Sequence, residues 1–370
     1  MRTPKLPFSG RYRRNMRVRR RTAAAAGMAV FLVACSGTTP EHRPAPSAPR
    51  PAGSSSAAPI PAPSSTPAPS STPAPSSTTA LPVPSGWLAG RSGDAGRLVL
   101  LGDSFAAGEG AGDYRPAVPG YRDSCHRSLH PVGTDLFAPQ NIANIACSRA
   151  TTGHLEALQQ LVTGDSGRDA ESVPAQLEQL QAADPTLVLL SVGGNDLDFA
   201  GLLQACLLEA QSCSENPQLR EDAAEQLAGL QPALAEAYAR TAAAVTVPVL
   251  VLPYPQLFDA PQDGCGRLDP GEQAFARQLI TDLNATIRSA VVASPAANIF
   301  YVDAVEGALT GHGACSRDPY VHTANVSGLL EAAGSRAADQ ELLHPTRDGY
   351  RAMTRELIRW ADQNPAPGTQ

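Results

Sequence analysis

The chain has 370 residues, 29 of them Lys or Arg and 35 Asp or Glu, for a formal net charge of −6. Nine of the 29 basic residues and none of the 35 acidic ones fall within the first 34 positions, so the remainder carries about −15. That balance excludes a partner bound through nucleic-acid phosphates, which requires a basic face, and the length admits one large domain or two ordinary ones.

Arg2, Lys5, Arg11, Arg13, Arg14, Arg17, Arg19, Arg20 and Arg21 precede the small, apolar run Ala23 to Ala34. A basic segment followed by an apolar one shorter than the roughly 20 residues needed to cross a bilayer predicts a secretory signal peptide over residues 1–34. The run ends in Leu32-Val33-Ala34-Cys35, which resembles the lipobox of bacterial lipoproteins. The resemblance implies cleavage before Cys35 and acylation of its thiol, giving a membrane-anchored protein on the extracytoplasmic side of the cell envelope, or a secreted one.

Residues 35–90 read as a linker. Pro, Ala, Ser and Thr dominate, and Pro-Ala-Pro-Ser-Ser-Thr occurs at 61, 67 and 73. Such a stretch builds no core and favours extended polyproline II, at about 3.1 Å per residue. The composition changes near Gly86, the folded domain is expected over residues 91–363, and residues 364–370 read as a flexible tail.

Within the domain, short apolar runs alternate with helical patterns. Strands are expected over residues 97–101, 141–146, 186–192, 247–252 and 298–302, and helices over 173–183, 220–244, 271–293 and 346–363. Continuous Leu/Val/Ile runs belong to strands buried on both faces, and helices between them supply the crossovers that parallel pairing needs. The expected fold is a five-stranded parallel sheet in a three-layer α/β/α sandwich. With Cys35 set aside, six cysteines remain, an even number suited to disulfides in an oxidising compartment. Their order suggests Cys125 with Cys147, Cys206 with Cys213 and Cys265 with Cys315, although order alone does not choose among the possible pairings.

Ligands of open parallel sheets bind beyond the carboxyl ends of the strands. After the first strand comes Gly102-Asp103-Ser104, where a serine at the strand's end presents its hydroxyl to the sheet edge. After the third comes Ser191-Val192-Gly193-Gly194-Asn195-Asp196, whose glycines permit a sharp turn and whose Asn195 amide can donate to an oxyanion. Near the carboxyl end, Leu343-His344-Pro345 opens the last helix, and Pro345 restrains His344 to an extended conformation at the helix start. Among the competing histidines, His126, His130, His154, His312 and His322, none combines proline and glycine punctuation with the start of a helix.

These three blocks, in this order and spacing, resemble those of the GDSL-type, or SGNH, hydrolases, from about Arg97 to Trp360. Cys125-His126-Arg127-Ser128, Ala146-Cys147-Ser148-Arg149-Ala150-Thr151-Thr152 and the six-cysteine framework add similarity to the actinobacterial secreted lipases and esterases. The resemblance implies an acyl-transfer mechanism on ester substrates, acyl lipids or acylated glycans, by a monomer without metal or cofactor. Ser104 is the implied nucleophile and His344 the base. The implied oxyanion donors are the backbone N–H of Ser104, the side chain of Asn195 and the backbone N–H of Arg149.

Two positions depart from the family pattern. Arg149 stands where a glycine is usual, so a positive φ there would cost on the order of 1 kcal/mol. Glu341 stands where an aspartate usually orients the histidine; Asp339 and a backbone carbonyl are the alternatives. The competing reading is a non-catalytic envelope lipoprotein that keeps the fold while Arg149 closes the oxyanion hole.

Overall fold

The computed structural model describes residues 80–115, 125–163, 169–199, 202, 212–263, 265, 268–322 and 341–364. The signal peptide, Cys35 and nearly all of the linker therefore lie outside the described residues. The strands are β1 (Leu98–Gly102), β2 (Ile142–Asn144), β3 (Gln159–Thr163), β4 (Asp169–Val173), β5 (Leu187–Ser191), β6 (Val249–Val251) and β7 (Ile299–Tyr301). The helices are α1 (Gly86–Ala89), α2 (Ser104–Ala107), α3 (Gln176–Ala183), α4 (Pro217–Ala244), α5 (Pro270–Ala293) and α6 (Arg347–Gln363).

Five strands form one sheet in the order β2-β1-β5-β6-β7, and every pair is parallel. Side chains alternate between its two faces, as the pleat dictates. Val99, Leu101, Val188, Leu190, Val249 and Val251 meet α3, α4 and α5 through residues such as Leu180, Leu234, Tyr238 and Leu283. Leu98, Leu100, Leu187, Leu189 and Leu250 meet α1 and α6 through Leu88, Tyr350, Met353 and Leu357. Every residue of β1 and β5 is buried, which is why these strands read as unbroken apolar runs rather than as alternating ones. The five expected strands and the three-layer sandwich are all present.

The long helices begin where their sequences supply caps. Asn216 accepts from the N–H groups of Gln218 and Leu219 ahead of Pro217. Asp269 and Glu272 form a reciprocal capping box around Pro270, satisfying two N–H groups that have no partner within the helix. The Thr346 hydroxyl accepts from Gly349 at the start of α6.

Three expectations need correction. The helix expected from Val173 begins only at Gln176, because Pro174 forces the preceding residue into an extended conformation, and Val173 instead ends β4. The antiparallel β3–β4 pair itself was not expected. The packed domain also starts before residue 91: Leu88 is fully buried against α6, Ser85 donates twice to Asp362, and the Trp87 indole donates to the carbonyl of Asn364.

Cys125 pairs with Cys147 and Cys265 with Cys315, as their order suggested. Cys213 is disulfide-bonded, while Cys206 lies outside the described residues.

Candidate active site

The chain leaves β1 for β2 on one side and β5 for β6 on the other, so the sheet's switch point lies between β1 and β5. A crevice opens at the carboxyl ends of the strands at such a point. Ser104 follows β1 and Asn195 follows β5.

Gly102 ends β1 at φ +121°. A Cβ there would come within 1.8 Å of the Ser191 carbonyl oxygen, so the close approach of β1 to β5 requires glycine. Asp103 next donates its N–H to that same carbonyl at 3.0 Å, and its side chain caps α2 by accepting from Phe105 at 3.0 Å. Ser104 is thereby fixed as the first residue of α2, with its side chain only half-buried.

His344 sits on a loop clamped from both sides. Its carbonyl accepts from His322 and Leu343 donates to the His322 carbonyl, both at 2.9 Å, while Thr346 donates to Tyr320 at 2.8 Å. Nε2 of His344 lies 2.7 Å from Oγ of Ser104. Nδ1 lies 3.1 Å from the carbonyl oxygen of Leu342. A carbonyl only accepts, so Nδ1 carries the proton and Nε2 presents its lone pair to the serine hydroxyl. The Phe105 ring packs 5.0 Å from the imidazole, centroid to centroid.

Glu341 is not the partner of that imidazole. Its carboxylate accepts the Tyr114 hydroxyl at 2.5 Å, and the same hydroxyl accepts from the N–H of Gly110 at 2.8 Å. Of the three alternatives for orienting His344, the backbone carbonyl is the one in contact; Asp339 lies outside the described residues.

The block after β5 is tied to the loop after β2. Asn195 donates through Nδ2 to the Ala150 carbonyl at 2.9 Å, which leaves its second amide proton for another acceptor. Asp196 accepts from the Thr152 N–H at 2.9 Å and from its hydroxyl at 2.7 Å. Just before Ala150, Arg149 takes φ +66° with an exposed side chain, so the positive φ expected of a glycine is adopted by an arginine. Among the described residues, the N–H groups of Ser104 and Arg149 have no protein acceptor.

Three residues that the sequence did not single out complete the surroundings. Tyr254, just after β6, donates its hydroxyl to Oδ2 of Asp103 and accepts from Gly194 at 2.8 Å, joining the blocks that follow β1 and β5. Its own backbone is held by Asn284 of α5, at 3.0 and 2.8 Å. Glu109 is buried and accepts from the Ser148 hydroxyl and from Nδ1 of His126, the latter at 3.3 Å. Tyr114 stacks on His126 with ring centroids 3.8 Å apart. Of the other histidines, His322 donates from Nε2 to the Gly110 carbonyl at 2.7 Å. His130 meets Asp113 at 2.9 Å, His154 caps the turn at Thr151, and His312 stacks on Tyr320.

Burial shapes the electrostatics. It pushes the His344 imidazole below the ordinary histidine value, against the opposing pull of the Glu109 charge and the Leu342 carbonyl. Burial raises the Asp103 carboxyl to about 7, although the hydrogen bonds from Tyr254 and Phe105 oppose it. Burial would raise Glu109 too, but the His126 hydrogen bond, His344 and Ser148 together hold its carboxyl below the usual range.

A hydroxyl facing an imidazole lone pair at the carboxyl end of a central strand is an arrangement suited to nucleophilic attack on an acyl carbon. The comparisons with known proteins agree. The model of the GDSL-like Lipase/Acylhydrolase family matches residues 100–352. Lipase 1 of Streptomyces coelicolor is 27% identical over 251 residues, covering 65% of this chain and 81% of that protein. The crystal structure of phospholipase A1 from Streptomyces albidoflavus NA297 superposes with a TM-score of 0.53 at 24% identity, covering 74% of this chain and 99% of that one. An extracellular lipase from Streptomyces rimosus superposes with a TM-score of 0.54 at 22% identity, covering 72% and 98%. The chain belongs to the GDSL-like lipase/acylhydrolase family, and it is a carboxylic ester hydrolase.

Proposed function

We propose that the protein is an exported, lipid-anchored serine esterase or lipase, acting as a monomer on acyl lipids or acylated glycans at the cell envelope. Ser104 attacks the ester carbonyl carbon while Nε2 of His344 takes the hydroxyl proton. The negative charge on the carbonyl oxygen is met by the N–H groups of Ser104 and Arg149 and by the Asn195 amide. Collapse of this intermediate breaks the ester C–O bond, and the departing alkoxide takes the proton from His344. Water, deprotonated by the same imidazole, then releases the carboxylic acid and restores Ser104. Throughout, the Leu342 carbonyl keeps the proton on Nδ1, so that a histidine and a serine act with no third carboxylate on the ring.

The observation that carries this reading is the 2.7 Å approach of Nε2 to Oγ, with Nδ1 committed to a carbonyl. Export is supported by the disulfides and by likeness to an extracellular lipase. Anchoring rests on the Leu-Val-Ala-Cys sequence ending at Cys35. Hydrolysis of p-nitrophenyl acetate and butyrate tests the catalytic reading. The wild-type protein is expected to turn over both esters and Ser104→Ala neither; equal rates for the two proteins would sink it.

A further inference from the structure

A histidine that ends up protonated in the reaction, with only a carbonyl on Nδ1, lacks the full negative charge that a carboxylate places beside it in a triad. Glu109 is buried beside the serine turn and the histidine loop. Its N–H donates to the carbonyl of Ser104 at 3.0 Å. The next residue, Gly110, lies at φ +92° directly against the histidine loop: a Cβ on it would come within 2.5 Å of the Pro345 carbonyl and 3.1 Å of the His344 Cβ. The Glu109 carboxylate accepts from Ser148, the neighbour of Arg149, and from His126, the neighbour of Cys125 in the Cys125–Cys147 disulfide. The Glu109 carbonyl accepts from the Tyr350 hydroxyl of α6 at 2.8 Å. One buried residue is thus fixed simultaneously to the serine turn, the loop of Arg149 and the helix that follows the histidine.

We propose that Glu109 is a positioning residue whose ionised carboxylate stabilises the protonated His344 through space, without touching its ring, and so replaces the charge of a third triad member. The inference rests on the reading of Ser104 and His344 given above. The hydrogen bonds from Ser148 and His126 favour the ionised form of a carboxylate that burial would otherwise neutralise, and Glu109 is held below its ordinary value accordingly. Among the described residues, the titratable groups that act on the imidazole through their charge are Glu109, His126 and His322. The two histidines oppose its protonation, and Glu109 favours it. Glu341 is engaged by Tyr114.

The test is the titration of His344 itself, read from its ring nitrogens by NMR in wild type and in Glu109→Gln, alongside the pH profile of ester hydrolysis. The glutamine keeps the size and loses the charge. The His344 pKa is expected to fall by about one unit or more, the usual size of a nearby-charge effect. The acid limb of kcat/KM should move to lower pH by the same amount, and the plateau of kcat should fall roughly tenfold. A lower plateau with the histidine titration unmoved would mean that Glu109 acts only through packing, and would overturn the proposal. The NMR titration needs no turnover, so this outcome is distinct from failure of Ser104 as nucleophile, which the Ser104→Ala comparison reads. If Glu109→Gln does not fold, the reciprocal measurement serves. The Glu109 carboxyl carbon should titrate at higher pH in His344→Gln than in wild type, and an unchanged midpoint would equally overturn the proposal.

Discussion

Nδ1 of His344 faces the carbonyl oxygen of Leu342, two residues earlier in the chain, at 3.1 Å. Among the described residues, the histidine is therefore oriented by its own loop and not by an acid. The positive φ of Leu343, +60°, turns the intervening residue so that the carbonyl and the ring face each other. Replacing Glu341 with Gln is accordingly expected to leave kcat within about threefold of wild type, because removing an orienting carboxylate from a triad histidine costs on the order of 10⁴. A loss of about 10³ or more in Glu341→Gln, measured on p-nitrophenyl butyrate, would restore Glu341 as the orienting acid.

The proposed oxyanion donors make a paired prediction. Asn195→Ala removes a donor outright and should lower kcat by about 10²-fold or more with little change in KM. Arg149→Gly keeps the backbone N–H at a φ that glycine adopts freely, so kcat should stay within about tenfold of wild type. The reverse ranking in steady-state kinetics would mean that the Arg149 side chain, and not its backbone, serves the reaction.

Tyr254 and Asp103 govern stability. Tyr254→Phe leaves both Oδ2 of Asp103 and the N–H of Gly194 without a partner in a buried setting. Urea unfolding should show a loss on the order of 2 kcal/mol or more. Asp103 also gives stability a pH dependence. Its carboxyl is raised from 3.8 to about 7 in the folded protein, so between those values the native state binds more protons than the unfolded chain. The contribution of Asp103 is thus fully present at low pH and is lost as pH rises from about 4 to 7. Asp103→Asn, which does not titrate, should gain stability relative to wild type across that interval. A difference between the two that is constant with pH would contradict the raised value.

Much of this was legible in the sequence because it depends on local signals. Val99 to Leu101 and Leu187 to Leu190 announce strands buried on both faces, whereas the helix expected from residue 220 begins at Pro217, behind the Asn216 cap. Ser104, Asn195 and His344 stand out because glycines or a proline must shape the turns that present them. What was missed depends on contacts across the fold. The β3–β4 pair runs from Gln159 to Thr163 and from Asp169 to Val173 without an alternation strong enough to mark it. Glu109 sits between two glycines and reads as a loop charge; only packing from Ser148, His126 and Tyr350 makes it a buried carboxylate. Tyr254 carried one usable hint, its place between Pro253 and Pro255 just beyond a strand's carboxyl end, where the chemistry of such sheets gathers. A backbone carbonyl stood among the alternatives for orienting His344, but that it is the carbonyl of Leu342 could not be read, since a backbone atom leaves no trace of its own in the sequence.

The central claim is that the Ser104 hydroxyl is made nucleophilic by His344, and covalent trapping tests it most directly. Incubation with a fluorophosphonate ester, followed by peptide mass spectrometry, should give one adduct, on Ser104. The adduct should be absent from Ser104→Ala and should form at least about 10²-fold more slowly in His344→Ala, as expected for loss of a general base. An adduct on another residue, or equal labelling of Ser104 with and without His344, would contradict the account.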